Sequence, residues 1–382
     1  MFVDFDTNGT FGNVPDATST TMTEYGDIYD CIDFYKQPAF DHALLKSHEF
    51  HPEMRPSNMN GLEEVGKEEE KEEGDNEIEV ECPHGTVPIR RTTKEDLIRQ
   101  KTFNQMFDSN IHPLTDSEPG LHVNPTLYGD NRCRKFAYFH TRDQHCFNTN
   151  CPGFVIVNNN SPLDYAFPKV SEIAVRIMEC RFYIYRDPQN GNWWLVTGKG
   201  KKQKALGFWP AKLFTDLAYN ADEVYWGGEL FTIPNSKTSP MGNGLLIKHV
   251  DDPRLYAYAR DCSVVDAKTQ KAIGVAEVNS EEVTDFDGWY GRRKAHIEKY
   301  WGHTIMFGGP AKLIKEWSGE KDTITKDMKK NQTLSRNQNQ TEAFSYPKNS
   351  RNEELALTRT DSDENGFCHY VYGEMFWLWK PR

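Results

Sequence analysis

A carboxylate that follows two glycines stands out in the run Val224-Tyr225-Trp226-Gly227-Gly228-Glu229. Glycine has no side chain, so another backbone can approach closely the acid that comes next. No partner for this acid can be chosen by residue type, because the chain carries 57 acidic residues. A second cluster, Cys133, His140, His145, Cys146 and Cys151, offers sulfur and nitrogen ligands. Its spacing fits no closed tetrahedral site, so no metal is expected there. Lys199, Lys201, Lys202 and Lys204 form a basic turn. They read as a solvated turn, with a subsite for acidic substrates as the sharper alternative. The sequence holds no serine nucleophile elbow, no Walker loop and no H-E-x-x-H, and Gly227-Gly228 lacks the surroundings of a dinucleotide loop. No cofactor is expected.

The elements that must carry these residues are mostly strands. Aromatic residues make up 13% of the chain, which favours a β-rich core because such side chains suit a pleated surface. Trp193-Trp194-Leu195-Val196-Thr197 reads as a strand, residues 198–204 as its turn, and Leu206-Gly207-Phe208-Trp209-Pro210 as the return strand of a hairpin. A short helix is expected over 211–218, then the glycine-rich loop Met241-Gly242-Asn243-Gly244. Further strands are expected at Lys135-Phe136-Ala137-Tyr138-Phe139-His140, at Ile173-Ala174-Val175-Arg176-Ile177-Met178, around Tyr256 and Val264, and at Thr304-Ile305-Met306-Phe307. Arg181-Phe182-Tyr183-Ile184-Tyr185-Arg186 alternates as a strand with one wet face should. Ile28-Tyr29-Asp30-Cys31-Ile32-Asp33-Phe34-Tyr35 alternates likewise and is closed by Pro38, with His42 beyond it in a surface or packing role. Thr92 or Thr93 caps a helix that begins with acids in its first turn.

The remainder reads as connection. Residues 1–23 are small and polar and are expected to be disordered. Residues 61–80 are an acid-rich linker, solvated by like-charge repulsion and open to proteases. Residues 315–360 are polar and poor in aromatics, and 368–382, CHYVYGEMFWLWKPR, form an aromatic tail that either docks on the sandwich or is an aggregation hazard. Sequons occur at Asn8, Asn331 and Asn339. The net charge of −12 argues against a nucleic-acid partner. No apolar run reaches the roughly 18 residues of a membrane span. The N-terminus lacks the pattern of a signal peptide. Of the eight cysteines, Cys31 and Cys82 can pair if oxidised, while Cys180 and Cys262 are either buried thiols or an extra bridge.

Several motifs in one order carry a resemblance. D-C-I-D-F-Y-K-Q-P-A-F-D-H from Asp30, M-R-P-S from Met54, and C-P-H-G-T-V-P-I-R-R-T from Cys82 resemble an activation peptide. S-E-P-G-L-H-V-N-P-T-L-Y-G-D-N-R from Ser117, G-N-W-W from Gly191, G-F-W-P from Gly207, W-G-G-E from Trp226, M-G-N-G from Met241 and the W-G-H-T-I-M-F-G-G-P run from Trp301 resemble the peptidase domain of the neprosin family. These are glutamic peptidases, abundant in plants, whose founding member cuts after proline. The resemblance implies an all-β protein: an antiparallel β-sandwich catalytic domain at 101–314, an activation-peptide-like region at 24–100 packed on it, and a tail at 315–382 outside the family pattern. It implies Glu118 and Glu229 as the catalytic pair and Tyr128, Trp226, Gly227 and Gly228 as substrate-binding neighbours. It also implies a Cys146–Cys151 disulfide, a protein or peptide substrate and an extracellular location. Only 17 residues, 101–117, stand where the family has several strands, room for at most two. Pro119 and Leu121 replace an alanine and a tryptophan beside Glu118. A rival reading rests on these differences: a catalytically inactive sandwich that serves as a binding module.

Overall fold

The computed structural model describes residues 17–57, 80–108, 116–141, 144–172, 176–198, 202–215, 217–219, 221, 224–230, 238–247, 255–265, 272–274, 290–297, 302–311, 372–374 and 377–378. Among these residues the protein is built of antiparallel sheets with few helices, as the all-β expectation required. The acidic run up to residue 79, residues Asn8, Asn331 and Asn339 and residues 315–360 lie outside the described residues.

Two sheets form the sandwich. One contains β4 (Asp116–Val123), β5 (Cys133–Thr141) and β6 (Gln144–Phe147). The other contains β7 (Val155–Ile156), β8 (Arg181–Arg186), β9 (Trp193–Thr197) and β10 (Lys204–Trp209), in the order β8-β9-β10-β7. Ala137, Phe139 and Cys146 of the first sheet share one apolar core with Phe182, Ile184, Trp194, Leu195, Phe208 and Trp209 of the second. The tryptophan hairpin forms as expected, with Trp193 opposite Trp209 and Trp194 opposite Phe208. All five residues of β9 are buried, so this strand is covered on both faces. A register shift between Ala205 and Gly207 bends β10. A side chain at Gly207 would stand 2.2 Å from the Val155 carbonyl oxygen, so only glycine lets β7 approach.

Two expectations of wet faces fail. β8 is buried along nearly its whole length, with Arg181 donating to the Tyr183 hydroxyl at 3.2 Å, because the sandwich core and flanking loops cover both of its faces. β2 (Ile28–Asp33) is likewise buried on both sides. Ile32 joins the main core, while Tyr29 and Cys31 pack with Val80, Cys82 and Tyr165 in a second cluster.

β2 is the middle strand of an N-terminal sheet, between β1 (Ala17–Met22) and β3 (Thr86–Arg90). β1 falls within the stretch expected to be disordered; the open edge of β2 orders it through antiparallel pairing from Ala17 to Met22. Cys31 and Cys82 are bridged, with Cα atoms 5.4 Å apart and 51 residues between them. Closing a loop of that length stabilises by about 4 kcal/mol in the chain-entropy picture. The bridge of Cys146 to Cys151 also forms, and Cys133 is disulfide-bonded; Cys180 and Cys262 are free thiols.

Helix α1 (Lys94–Asp108) starts at a capping box. The Thr93 hydroxyl accepts from the Asp96 amide at 3.1 Å, and the Asp96 carboxylate accepts from the Thr93 amide at 2.9 Å. The helix runs across the expected boundary at 100/101, so residues 101–108 are helical rather than stranded. The helix expected at 211–218 contracts to a single 3-10 turn, Ala211–Leu213. Trp193 Nε1 donates to the Leu217 carbonyl at 2.7 Å and Arg186 Nε to the Ala218 carbonyl at 2.9 Å, which ties this stretch to β9 and β8.

The C-terminal part of the sandwich adds β11 (Ala257–Ala259), β12 (Ser263–Val265), β13 (Ala272–Gly274), β14 (Gly291–Ile297) and β15 (Gly302–Gly308), with the sheet order β11-β15-β14. The aromatic tail docks. β16 (Tyr372–Glu374) pairs with β8 in parallel, and β17 (Trp377–Leu378) pairs with β4 in the antiparallel sense.

Candidate active site

Glu118 lies in β4, directly opposite Tyr138 of β5. The register of these strands is unbroken from Asp116 to Val123, so position 118 has the same parity as Gly120 and His122. That face is aromatic. His122 stacks on Phe136 at 4.6 Å, and Tyr138 lies 4.6 Å from Phe147, which Phe103 of α1 covers at 5.7 Å. Pro119 and Leu121 have the other parity, and Leu121 packs on the main core. The two departures from the family pattern therefore fall on the core side of the strand.

The proline also fits the ladder. The Ala137 amide donates to Asn148 Oδ1 at 2.8 Å, and its carbonyl accepts from the Asn148 amide at 2.7 Å. Ala137, opposite Pro119, thus turns its backbone groups away from β4. The proline forfeits no bond to β5; the amide it lacks would have pointed outward, where proline is tolerated on a sheet edge.

Tyr128 ends α2 (Pro125–Tyr128), a short helix capped by Asn124, whose side chain accepts from the Leu127 amide at 2.9 Å. Tyr128 is 6% exposed, and its hydroxyl accepts from Asn148 Nδ2 at 2.9 Å and lies 3.3 Å from His122 Nε2. Burial and the nearby Asp164 hold its phenol well above the ordinary range. Burial and the Arg134 charge push His122 down to about 3, so its imidazole is neutral above that pH.

Trp226, Gly227, Gly228 and Glu229 sit in one loop packed against another sheet. A side chain at Gly228 would lie 2.7 Å from the Phe307 ring and 3.0 Å from Met241 Sδ, while at Gly227 it would meet nothing within 4 Å. Gly228 is thus the seat of the loop and Gly227 its open side. Trp226 is half-buried and Glu229 exposed. The M-G-N-G loop supports this seat: Met241 and Gly309 exchange backbone bonds of 2.9 and 3.2 Å, and Asn243 bonds the Leu255 carbonyl. The structure therefore gathers Glu118 and Tyr128 around β4 and α2, and the other three candidates and Glu229 around β15.

A buried ionic cluster lies beside the Tyr128 end of this region, and no motif pointed to it. Asp27 accepts from Arg90 at 2.9 Å and from Arg134 at 2.7 Å; Arg134 reaches on to Asp130 at 2.7 Å and to the Asp164 carbonyl at 2.9 Å. Both guanidinium groups stand over the Tyr128 ring, at 5.4 and 4.5 Å. Burial pushes the Asp164 carboxyl up to about 7 against the pull of Arg90 and Arg134. The only hint in the sequence was composition, since such residues join through the fold across long separations. Of the cysteine and histidine cluster, Cys133, Cys146 and Cys151 are disulfide-bonded and carry no free thiolate.

The N-terminal region meets the sandwich along a continuous interface. Gln37, 2% exposed, donates to the Ile156 carbonyl at 3.1 Å and accepts its amide at 2.8 Å. Phe50 packs edge-on against Phe208 at 5.0 Å, and Ser57 bonds Asp187 through both its amide and its hydroxyl. Comparison with known families covers both parts, with an overlap over residues 101–139. Residues 101–310, more than half of the chain, match the family described as Neprosin, and residues 20–139 match the one described as Neprosin activation peptide. A peptidase-type sandwich with its activation region folded onto it, the chain belongs to the neprosin family.

Proposed function

We propose that the protein is a glutamic endopeptidase that cuts peptide bonds, after proline, with Glu118 and Glu229 as its working pair. Metal-free hydrolysis of an amide needs an activated water and a stabilised oxyanion. Two carboxyls supply both when one is ionised and the other protonated. The ionised glutamate takes a proton from water as the water oxygen attacks the scissile carbonyl carbon. The protonated glutamate donates to the carbonyl oxygen. Collapse of the tetrahedral intermediate breaks the C–N bond, and the amine leaves with a proton returned from the pair. Activity is then greatest in acid, where one proton is retained.

The observation that carries the reading is the seat of the W-G-G-E loop. Phe307 and Met241 permit only glycine at 228, while Gly227 leaves open space beside Glu229 for a substrate backbone. The register of β4 supports it further, since position 118 has the parity of His122 and stands opposite Tyr138. Tyr128 is buried, with its hydroxyl engaged by Asn148 and His122, and so serves by holding α2 and His122 in place.

The test is cleavage of a proline-containing peptide by the purified full chain between pH 2 and 7, before and after removal of the activation region. Glu118→Gln and Glu229→Gln should each lower acid-optimal cleavage by about a thousandfold or more, with unchanged circular dichroism. Cleavage that survives both substitutions would reject this pair; a folded and processed protein that cuts nothing would reject the peptidase in favour of a binding module.

A further inference from the structure

Without its last residues, the sandwich would end in two open strands on the same side: β4 in one sheet and β8 in the other. An open edge presents a row of unpaired amides and carbonyls to any extended chain. The C-terminal segment covers both. Tyr372, Gly373 and Glu374 run parallel to Arg181, Phe182 and Tyr183, while Trp377 and Leu378 run antiparallel to Ser117 and Asp116. Two residues separate the strands, so Glu374 and Trp377 are at most about 10–11 Å apart. One short segment therefore pairs with both sheets, where β4 and β8 themselves touch and β16 also meets β11 and β12. The pairing with β4 stops at Ser117; two residues on, Pro119 has no amide to offer outward.

We propose that the paired edges of β4 and β8 form a strand-acceptor site for an extended, aromatic polypeptide, and that residues 372–378 of this chain are its resident occupant. Recognition is by strand addition: the main chain supplies the bonds, and the aromatic segment supplies side chains suited to a pleated surface. The composition fits, since Tyr372, Met375, Phe376, Trp377, Leu378 and Trp379 crowd around a single acid, Glu374, after a long polar stretch. The site depends on backbone pairing and stands whether or not the chain cuts peptides.

Ser117→Cys with Trp377→Cys in the full chain tests the occupant. Directly opposed antiparallel residues lie about 4.5–5.5 Å apart at Cα, within disulfide reach. Mild oxidation should link them within one molecule, with the joined peptides identified by mass spectrometry and the protein still monomeric on a non-reducing gel. Failure to link, or links only between molecules, would overturn the assignment. The acceptor is tested by deleting 370–382 and titrating a labelled peptide of sequence 370–381. It should bind the deleted chain at least ~10-fold more tightly than the full chain, whose tethered strand competes at high effective concentration. Bound peptide should restore slow amide exchange in β4 and β8 and leave β9 unchanged. Equal binding to both proteins, or no binding to a deleted chain whose β9 amides stay protected, would reject the site. If the deletion prevents folding, the cross-link alone decides.

Discussion

The two edges of the β8-β9-β10-β7 sheet are closed by opposite ends of the chain, and by different chemistry. At β7 the cover is a side chain: Gln37 places its amide where a neighbouring strand would put a peptide group and bonds both backbone groups of Ile156. Around it the N-terminal region adds apolar packing, a disulfide and the Asp27–Arg134 pair. At β8 the cover is backbone, three residues in parallel register. A side-chain cover demands one residue at one position. A backbone cover demands only an extended chain. The first is therefore specific and hard to replace, and the second is exchangeable by design of the peptide group itself.

The comparison can be broken most severely at the N-terminal side. Arg134→Met takes the guanidinium from Asp130 and leaves Asp27 one of its two arginine partners, Arg90, and should cost about 3–5 kcal/mol in urea unfolding; a loss under about 1 kcal/mol would mean that apolar contact alone holds the region. Removing both cysteines of the Cys31–Cys82 bridge by Ala should cost about 4 kcal/mol by the loop-entropy argument, read as a lower urea midpoint. Asp164→Asn sharpens the picture through pH. The folded carboxyl titrates near 7, above its unfolded value near 4, so the folded state holds the proton longer. Stability from this group is thus fully present in acid and is lost as pH rises from about 4 to about 7, by a few kcal/mol in order of magnitude. Urea midpoints measured across that range should fall less steeply in Asp164→Asn than in the unaltered chain. Gln37→Leu should cost about 1–3 kcal/mol, because the Ile156 amide and carbonyl lose their partner, and should speed amide exchange at Ile156.

Local signals made part of the fold readable. The Trp193–Trp194 run, its glycine-containing turn and the return through Trp209 announce a hairpin, and it forms in that register. Thr93 and Asp96 announce a helix start, and they form its capping box. The Cys146–Cys151 bridge was legible only through family resemblance. What the sequence concealed depends on partners far along the chain. The polar, small residues of β1 have little strand character of their own; β2 orders them. The arginines of β8 imitate a wet face but are covered from outside the strand. For the candidate site, the W-G-G-E loop was visible as a motif, while the reason for its second glycine, Phe307 from a strand 79 residues away (307 − 228), was not. The consequence of Pro119 and Leu121 could be judged only after the register of β4 fixed which side each faces.

Helix α1 runs without a break through residues 100 and 101, and Gln100 within it holds the Asn150 carbonyl at 2.9 Å. A protease needs several extended residues in its cleft. The bond between Gln100 and Lys101 is offered in that form only while the helix is unwound. Any protease that attacks this bond would then cut at its own rate multiplied by the fraction of time the helix spends open. The capping box at Thr93 and Asp96 becomes a latch on that bond: weaken it, and the bond is exposed more often.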